Sequence, residues 1–114
     1  MAMQITTVVE LHDYFTGVVQ RAKHHAPNVD QIIYPVLGMI IAYKDSGTEI
    51  NVWEQSGSTG NLLWVQINGK RYAFRYDHPS DSIEIREETY KGKLVKTINN
   101  GTTLSNLFSI FEKL

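Results

Sequence analysis

Hydrophobic positions in the first part of the chain recur at helical spacing. Thr7 followed by Glu10 has the spacing of a capping box, in which two side chains satisfy free backbone N–H groups. Pro27 disfavours helical geometry in the residue before it. The pattern therefore predicts a helix that begins after Thr7 and ends near His25. Its apolar stripe comprises Val8, Leu11, Phe15, Val18, Val19 and Ala22.

The apolar spacing changes after this helix. We interpret residues 27–35 as a connecting loop, and from Val36 onward hydrophobic and polar residues alternate, as in half-buried strands. The predicted strands are 36–44, 48–55, 61–67, 70–76, 82–89 and 93–98. Short turn-forming segments, including "DSG", "SGSTG", "NG" and "KG", separate them, which predicts an antiparallel meander because parallel strands need long crossovers.

A second helix is predicted at the end of the chain. Thr102 or Thr103 can cap it. Its apolar stripe comprises Leu104, Leu107, Phe108, Phe111 and Leu114. The whole chain, residues 1–114, is therefore expected to form a single α+β domain, with an N-terminal helix, a mainly antiparallel sheet of about six strands and a C-terminal helix.

The central hairpin assigns side chains to the two faces of the sheet. Asn68-Gly69 between two alternating segments is a strong signal for a two-residue hairpin loop, and this loop sets the pairing. The apolar pairs on one face are Val65 with Tyr72 and Leu63 with Phe74. The pairs on the other face are Leu62 with Arg75, Trp64 with Ala73 and Gln66 with Arg71.

Alternation and short turns also assign side chains of the neighbouring strands to the inner, apolar face. A Ser46-Gly47 loop would pair Lys44 with Glu49, and a Lys91-Gly92 loop would pair Ile85 with Ile98. Both helices are expected to pack on this one face. Its predicted members are Leu37, Met39, Ile41, Ile50, Val52, Leu63, Val65, Tyr72, Phe74, Ile83, Ile85 and Ile98.

The outer face carries the candidate binding residues. Trp53 is expected beside Trp64, flanked by Arg71 and Arg75, with polar side chains around them. Indole rings offer stacking surfaces and guanidinium groups pair with anions, and both residue types are enriched at protein interfaces. The alternative is that the arginine side chains simply cover the indoles on a solvated sheet. We predict a non-catalytic binding or protein-interaction module, with self-association into a homodimer as one form of it.

Composition narrows the class of partner. The chain has 11 basic and 12 acidic residues and a net charge of -1, which disfavours nucleic acid as the ligand. It contains no cysteine, in keeping with a reducing compartment. It also lacks an apolar segment of the roughly 20 residues that a membrane span requires, and its start does not resemble a secretion signal. We therefore expect a cytoplasmic protein without membrane contact.

Catalytic and metal-binding motifs are not apparent in the sequence. The adjacent His24 and His25 point in different directions from a helix end, and His78 lies in a turn-forming segment, so no metal or other cofactor is expected. Neither a Gly-x-Ser-x-Gly motif nor a phosphate-binding glycine loop occurs, and no catalytic residues are assigned. The alternative function is a small-molecule binder or simple enzyme with a cavity between sheet and helices near Tyr72.

The segment "WVQINGKRYAFRYDHP" and the compact capped ends resemble the small, cysteine-free proteins encoded by mobile gene cassettes of bacterial integrons. The resemblance extends over the whole chain. It implies no particular catalytic residues, because that group of proteins shares no single fold or activity.

Overall fold

Within residues 2–55 and 58–114, which the computed structural model describes, the chain forms three helices and a six-stranded antiparallel sheet. The helices are α1 (Val8–His25), α2 (Ile33–Tyr43) and α3 (Leu104–Glu112). The strands are β1 (Ala2–Ile5), β2 (Ile50–Gln55), β3 (Ser58–Ile67), β4 (Lys70–Asp77), β5 (Ser82–Glu87) and β6 (Leu94–Ile98). Neighbouring strands follow sequence order across the sheet. The combination of an antiparallel sheet with separate helices confirms the predicted α+β class.

Both predicted helix starts are confirmed. The Thr7 hydroxyl accepts a hydrogen bond from the Glu10 backbone N–H at 3.1 Å, and the Glu10 carboxylate accepts one from the Thr7 N–H at 3.0 Å. The Thr103 hydroxyl accepts the Asn106 N–H at 3.1 Å. These bonds satisfy amides that have no partner in the first turn of a helix.

The strand predicted at residues 36–44 is wrong, because residues 36–43 belong to α2, which begins within the predicted loop 27–35. Ile33, Val36, Leu37 and Ile40 are buried, at intervals of three, one and three residues, which is a helical repeat. Pro35 is tolerated because it lies in the first turn, where its missing N–H would have no acceptor within the helix. Periodicity could not distinguish the two structures, since residues 32–43 are almost continuously apolar. The predicted Lys44–Glu49 pairing is lost with that strand.

A strand that the sequence did not reveal occupies the edge of the sheet. β1 pairs with β2, and Ile5 lies opposite Ile50. It has four residues, too few for a clear alternating pattern, and it ends just before the cap of α1. The sheet therefore keeps six strands within the described residues although one predicted strand is a helix.

The register predicted for the central hairpin is confirmed at every pair from Leu62–Arg75 to Ile67–Lys70. Asn68 and Gly69 have φ values of 54° and 79°, as this type of tight turn requires. The predicted pairing of Ile85 with Ile98 is wrong, because Ile98 lies opposite Ile83. The connection from β5 to β6 is longer than the predicted two-residue loop. A shift of two residues leaves Ile98 on the inner face, where it is fully buried.

The predicted "SGSTG" loop is only partly described. Ser56 and Gly57 lie outside the described residues, whereas Ser58 and Thr59 are paired in β3 with the end of β2. The register between these strands shifts after Val52, as at a β-bulge. β3 therefore extends further than the predicted strand 61–67.

The helices pack on the inner face of the sheet, as predicted. The rings of Phe74 in β4 and Phe111 in α3 are stacked with centroids 5.8 Å apart. Buried residues of α1 and α2 join the same hydrophobic cluster as the inner residues of β2 to β6. Of the residues predicted for this face, Met39 and Ile41 contribute from α2 and are only partly buried. The outer face has no helix over it among the described elements.

Candidate functional site

The central hairpin and its neighbour β2 place the predicted aromatic residues on the outer face. Trp64 lies opposite Ala73 of β4 and opposite Asn51 of β2. Trp53 lies on the same face of β2, pairs with Ala2 of β1 and is 40% exposed. Trp64 is half-buried. Both indoles are thus outside the hydrophobic layer beneath the helices.

Trp64 and Arg71 are in direct contact. The Cζ atom of the Arg71 guanidinium lies 5.3 Å from the centroid of the Trp64 ring, which is the geometry of a cation–π interaction. Among the side chains that the structure describes, no carboxylate forms an ion pair with Arg71. Its remaining N–H donors are therefore available to an external acceptor.

Arg75 is in a different situation, because acidic side chains of the same face surround it. Its guanidinium lies 3.4 Å from the Asp77 carboxylate and 3.8 Å from that of Glu84. Glu84, which is only 9% exposed, also forms two hydrogen bonds with Arg86 at 3.0 and 3.1 Å. The bond to Glu84 raises the pKa of Arg86. Arg75 is thus part of an internal charge network and is less available than Arg71.

Asp77 anchors the end of this network. Its carboxylate accepts hydrogen bonds from the Ser80 hydroxyl at 2.6 Å and the Ser80 N–H at 3.1 Å. These bonds, with the nearby positive charge of Arg75, hold the pKa of Asp77 below its usual value. Asp77 therefore remains ionised, and its charge stays available to Arg75.

A depression opens on the outer face next to Trp64 and Arg71. It has a volume of about 260 Å³ and is bordered by Thr48, Glu49, Asn51, Trp64, Gln66 and Arg71. The structure therefore brings Trp64 and Arg71 together in one concave site. Trp53 and Arg75 lie on the same face but not on the wall of this depression.

A separate cavity lies beneath α1 and α2. Its volume is about 90 Å³, and its wall is mainly apolar, with Ala22, Val36, Ile40, Leu63 and Phe74 among its members. Tyr14 and Tyr76 also line it, whereas Tyr72, the tyrosine named from the sequence, is not on its wall. Burial is the main factor that raises the pKa of Tyr76 to about 12, and its hydrogen bond to Asp81 adds to this effect.

The sequence did not determine the position of the cavity or the pairing of Arg75 with Glu84. The cavity depends on α2, which was predicted as a strand, so no pattern indicated its position. Glu84 and Arg86 lie two residues apart on one face of a strand, and this spacing in the sequence already allows them to pair. The pairing of Arg75 with Glu84, in contrast, follows from the β4–β5 register.

The described part of the chain contains no cluster of three or more metal-ligating side chains. None of its described helices has the length and apolar character that crossing a membrane requires.

The fold defines the chain as an α+β protein with a helical layer on one face of an antiparallel sheet. Comparison with protein families matches residues 11–108 to the family described as integron cassette protein VCH_CASS1 chain. The chain therefore belongs to this integron cassette family, which confirms the resemblance seen in the sequence. A search of curated proteins finds no match.

Proposed function

We propose that this protein is a non-catalytic binding module that engages a protein partner through the outer face of its sheet. The observation that carries the proposal is the contact between Trp64 and Arg71 at the edge of a depression of about 260 Å³. Trp64 provides a rigid apolar surface, and Arg71 provides donors for a carboxylate. Trp53, on the same face, would enlarge the contact area.

The charge pattern indicates which partner group would fit. Arg71 forms no ion pair with any described side chain, whereas Arg75 is held by Asp77 and Glu84. An acidic side chain beside an apolar one would complement Arg71 and Trp64 together. Arg75 is then expected mainly to hold the neighbouring side chains of the outer face in their positions. The cysteine-free sequence fits a reducing compartment, so a cytoplasmic setting is part of this proposal.

The first partner to test is a second copy of the chain. Sedimentation velocity over a range of concentrations should reveal a reversible dimer in the unaltered protein. The double variant Trp64→Ala, Arg71→Gln should sediment as a monomer, with an unchanged circular dichroism spectrum. Lys96→Ala, which removes an exposed cation from β6, is the matched control and should dimerise normally.

A heterologous partner is tested through the intrinsic fluorescence of the two tryptophans, both of which lie on this face. If the chain sediments as a monomer at all concentrations, peptides that combine glutamate with leucine should still change the indole emission, and Arg71→Gln should suppress the change. The proposal is overturned if neither dimerisation nor such peptide binding occurs, or if the double variant behaves like the unaltered protein.

A second candidate function is the binding of a small molecule in the cavity between the helices and the sheet. The unfilled volume of about 90 Å³ favours it, because protein interiors are otherwise closely packed.

A further inference from the structure

The cavity beneath α1 and α2 has an apolar interior and a polar entrance. Ala22, Val36, Ile40 and Leu63 belong to its interior. Arg21, His25 and His78 also line it, and all three are exposed to solvent. The polar groups therefore lie toward the solvent side of the cavity, and an amphipathic molecule fits this arrangement.

The volume limits the size of that molecule. A cavity of ~150 Å³ holds the six carbons of benzene, so one of about 90 Å³ holds about three or four carbons. This space accommodates a short aliphatic chain. It is too small for the long chain of a fatty acid or for a cofactor.

Tyr14 and Arg21 point to the chemistry of the ligand's polar group. They lie seven residues apart on α1, on the same face of the helix. Tyr14 is 7% exposed and lines the cavity. Both residues line the cavity; burial raises the pKa of Tyr14, and the positive charge of Arg21 opposes this rise. A protonated phenol and a guanidinium together suit a carboxylate.

Two histidines and a second arginine also line the cavity. His25 lies one turn beyond Arg21 on α1. His78 contacts Tyr76 with ring centroids 4.7 Å apart. The nearby Asp81 carboxylate already accepts the Tyr76 hydroxyl at 2.8 Å and the Asn28 N–H at 3.3 Å. Arg21 forms no ion pair within the described part of the chain.

We propose that this cavity binds a short-chain aliphatic monocarboxylate, with its alkyl chain among Ala22, Val36 and Leu63 and its carboxylate at Arg21 and the Tyr14 hydroxyl. The inference rests on the second candidate function, small-molecule binding, and does not depend on Trp64 or Arg71, which are not on the wall of this cavity. It specifies the ligand class, which the volume and the entrance chemistry define together.

The test uses sodium pentanoate as the probe, with 1-pentanol as its uncharged counterpart and acetate as its short-chain counterpart. Methyl NMR spectra should show saturable shifts at Val36, Ile40 and Leu63 with pentanoate. The indole N–H signals of Trp53 and Trp64 should not move, since they lie on the opposite face of the sheet. Pentanoate should bind about tenfold or more tightly than either counterpart, as expected for a charge-assisted hydrogen bond and a buried chain.

Two variants and one control locate the site. Arg21→Gln should weaken pentanoate binding about tenfold or more and leave the fold intact, because Arg21 is exposed. Ala22→Leu should fill the cavity and abolish binding. Lys23→Gln is the control, since it removes an exposed cation of the same helix that is not on the cavity wall.

The results distinguish a failure of small-molecule binding from a failure of the carboxylate assignment. If neither pentanoate nor 1-pentanol shifts the cavity methyl signals, small-molecule binding here is overturned. If 1-pentanol binds as tightly as pentanoate, or if Arg21→Gln has no effect, the cavity remains a binding site but the carboxylate assignment is overturned.

Discussion

The two faces of the central hairpin are built from alternate residues of the same two strands, yet they have different organisations. On the inner face, Val65 and Phe74 are 1% and 4% exposed and pack beneath the helices. On the outer face, Ala73 is also only 1% exposed, but side chains of the sheet itself must cover it, since no described helix lies there. Trp64 and Arg86 lie opposite Ala73 on either side.

This difference indicates that the inner residues stabilise the fold, whereas the outer residues are the ones accessible to the proposed partner. Inner residues cannot contact a protein partner without disruption of the packing against α1, α2 and α3. Outer residues are held by an ion network around Glu84 at one part of the face, whereas Trp64 and Arg71 border a depression at another. Binding through the outer face would therefore leave the hydrophobic core unaltered.

The largest effect is expected on the inner face. Phe74→Ala should lower the free energy of unfolding by about 3–5 kcal/mol, because it removes the ring stacked on Phe111 and enlarges an existing cavity. Urea unfolding monitored by circular dichroism measures the loss. Trp64→Ala removes an aromatic ring of the neighbouring strand from the outer face and should cost clearly less. Equal losses would contradict the distinction between the faces.

An intermediate effect is expected from the ion network. Glu84→Gln should lower the free energy of unfolding by about 1–3 kcal/mol, since it leaves the partly buried Arg75 and Arg86 without their shared carboxylate. Glu88→Gln, at an exposed residue without an ion pair in the described chain, is the control. Urea unfolding should show no change for the control. A similarly small effect of Glu84→Gln would mean that the network does not hold the outer face.

The smallest effect at neutral pH is expected at Tyr76 on the inner face, whose contribution to stability also depends on alkaline pH. The Tyr76 phenol has a pKa of about 12 in the folded chain, against an ordinary value of 10.0, so the unfolded chain loses this proton first. The contribution of Tyr76 to stability is thus complete below pH 10 and is lost as the pH rises to about 12.

Tyr76→Phe should reduce this alkaline loss, and at neutral pH it should cost about 1 kcal/mol through the missing hydrogen bond to Asp81. Urea unfolding across this pH range measures both effects. Tyr34→Phe, at a residue that is 54% exposed, is the control. An alkaline loss as steep in Tyr76→Phe as in the unaltered protein would contradict the assignment.

Local signals were sufficient for a large part of the fold. The capping box of α1, the cap of α3 and the Asn68-Gly69 turn each depend on residues close in the chain, and each prediction is confirmed. The hairpin register then determined that Trp64 and Arg71 share a face. The strand prediction for residues 36–44 failed because this segment is almost continuously apolar and therefore satisfies either period, whereas contacts with α1 and α3 favour the helix.

The sequence by itself determined the antiparallel class, the central register and the outward orientation of both indoles, because alternation and turn geometry act over a few residues. Only the tertiary structure decided that residues 33–43 form a helix, that Arg75 is paired with Asp77 and Glu84 while Arg71 is not, and that a cavity lies beneath α1 and α2. These features depend on how distant segments meet, and the packing of such segments leaves no local pattern in the chain.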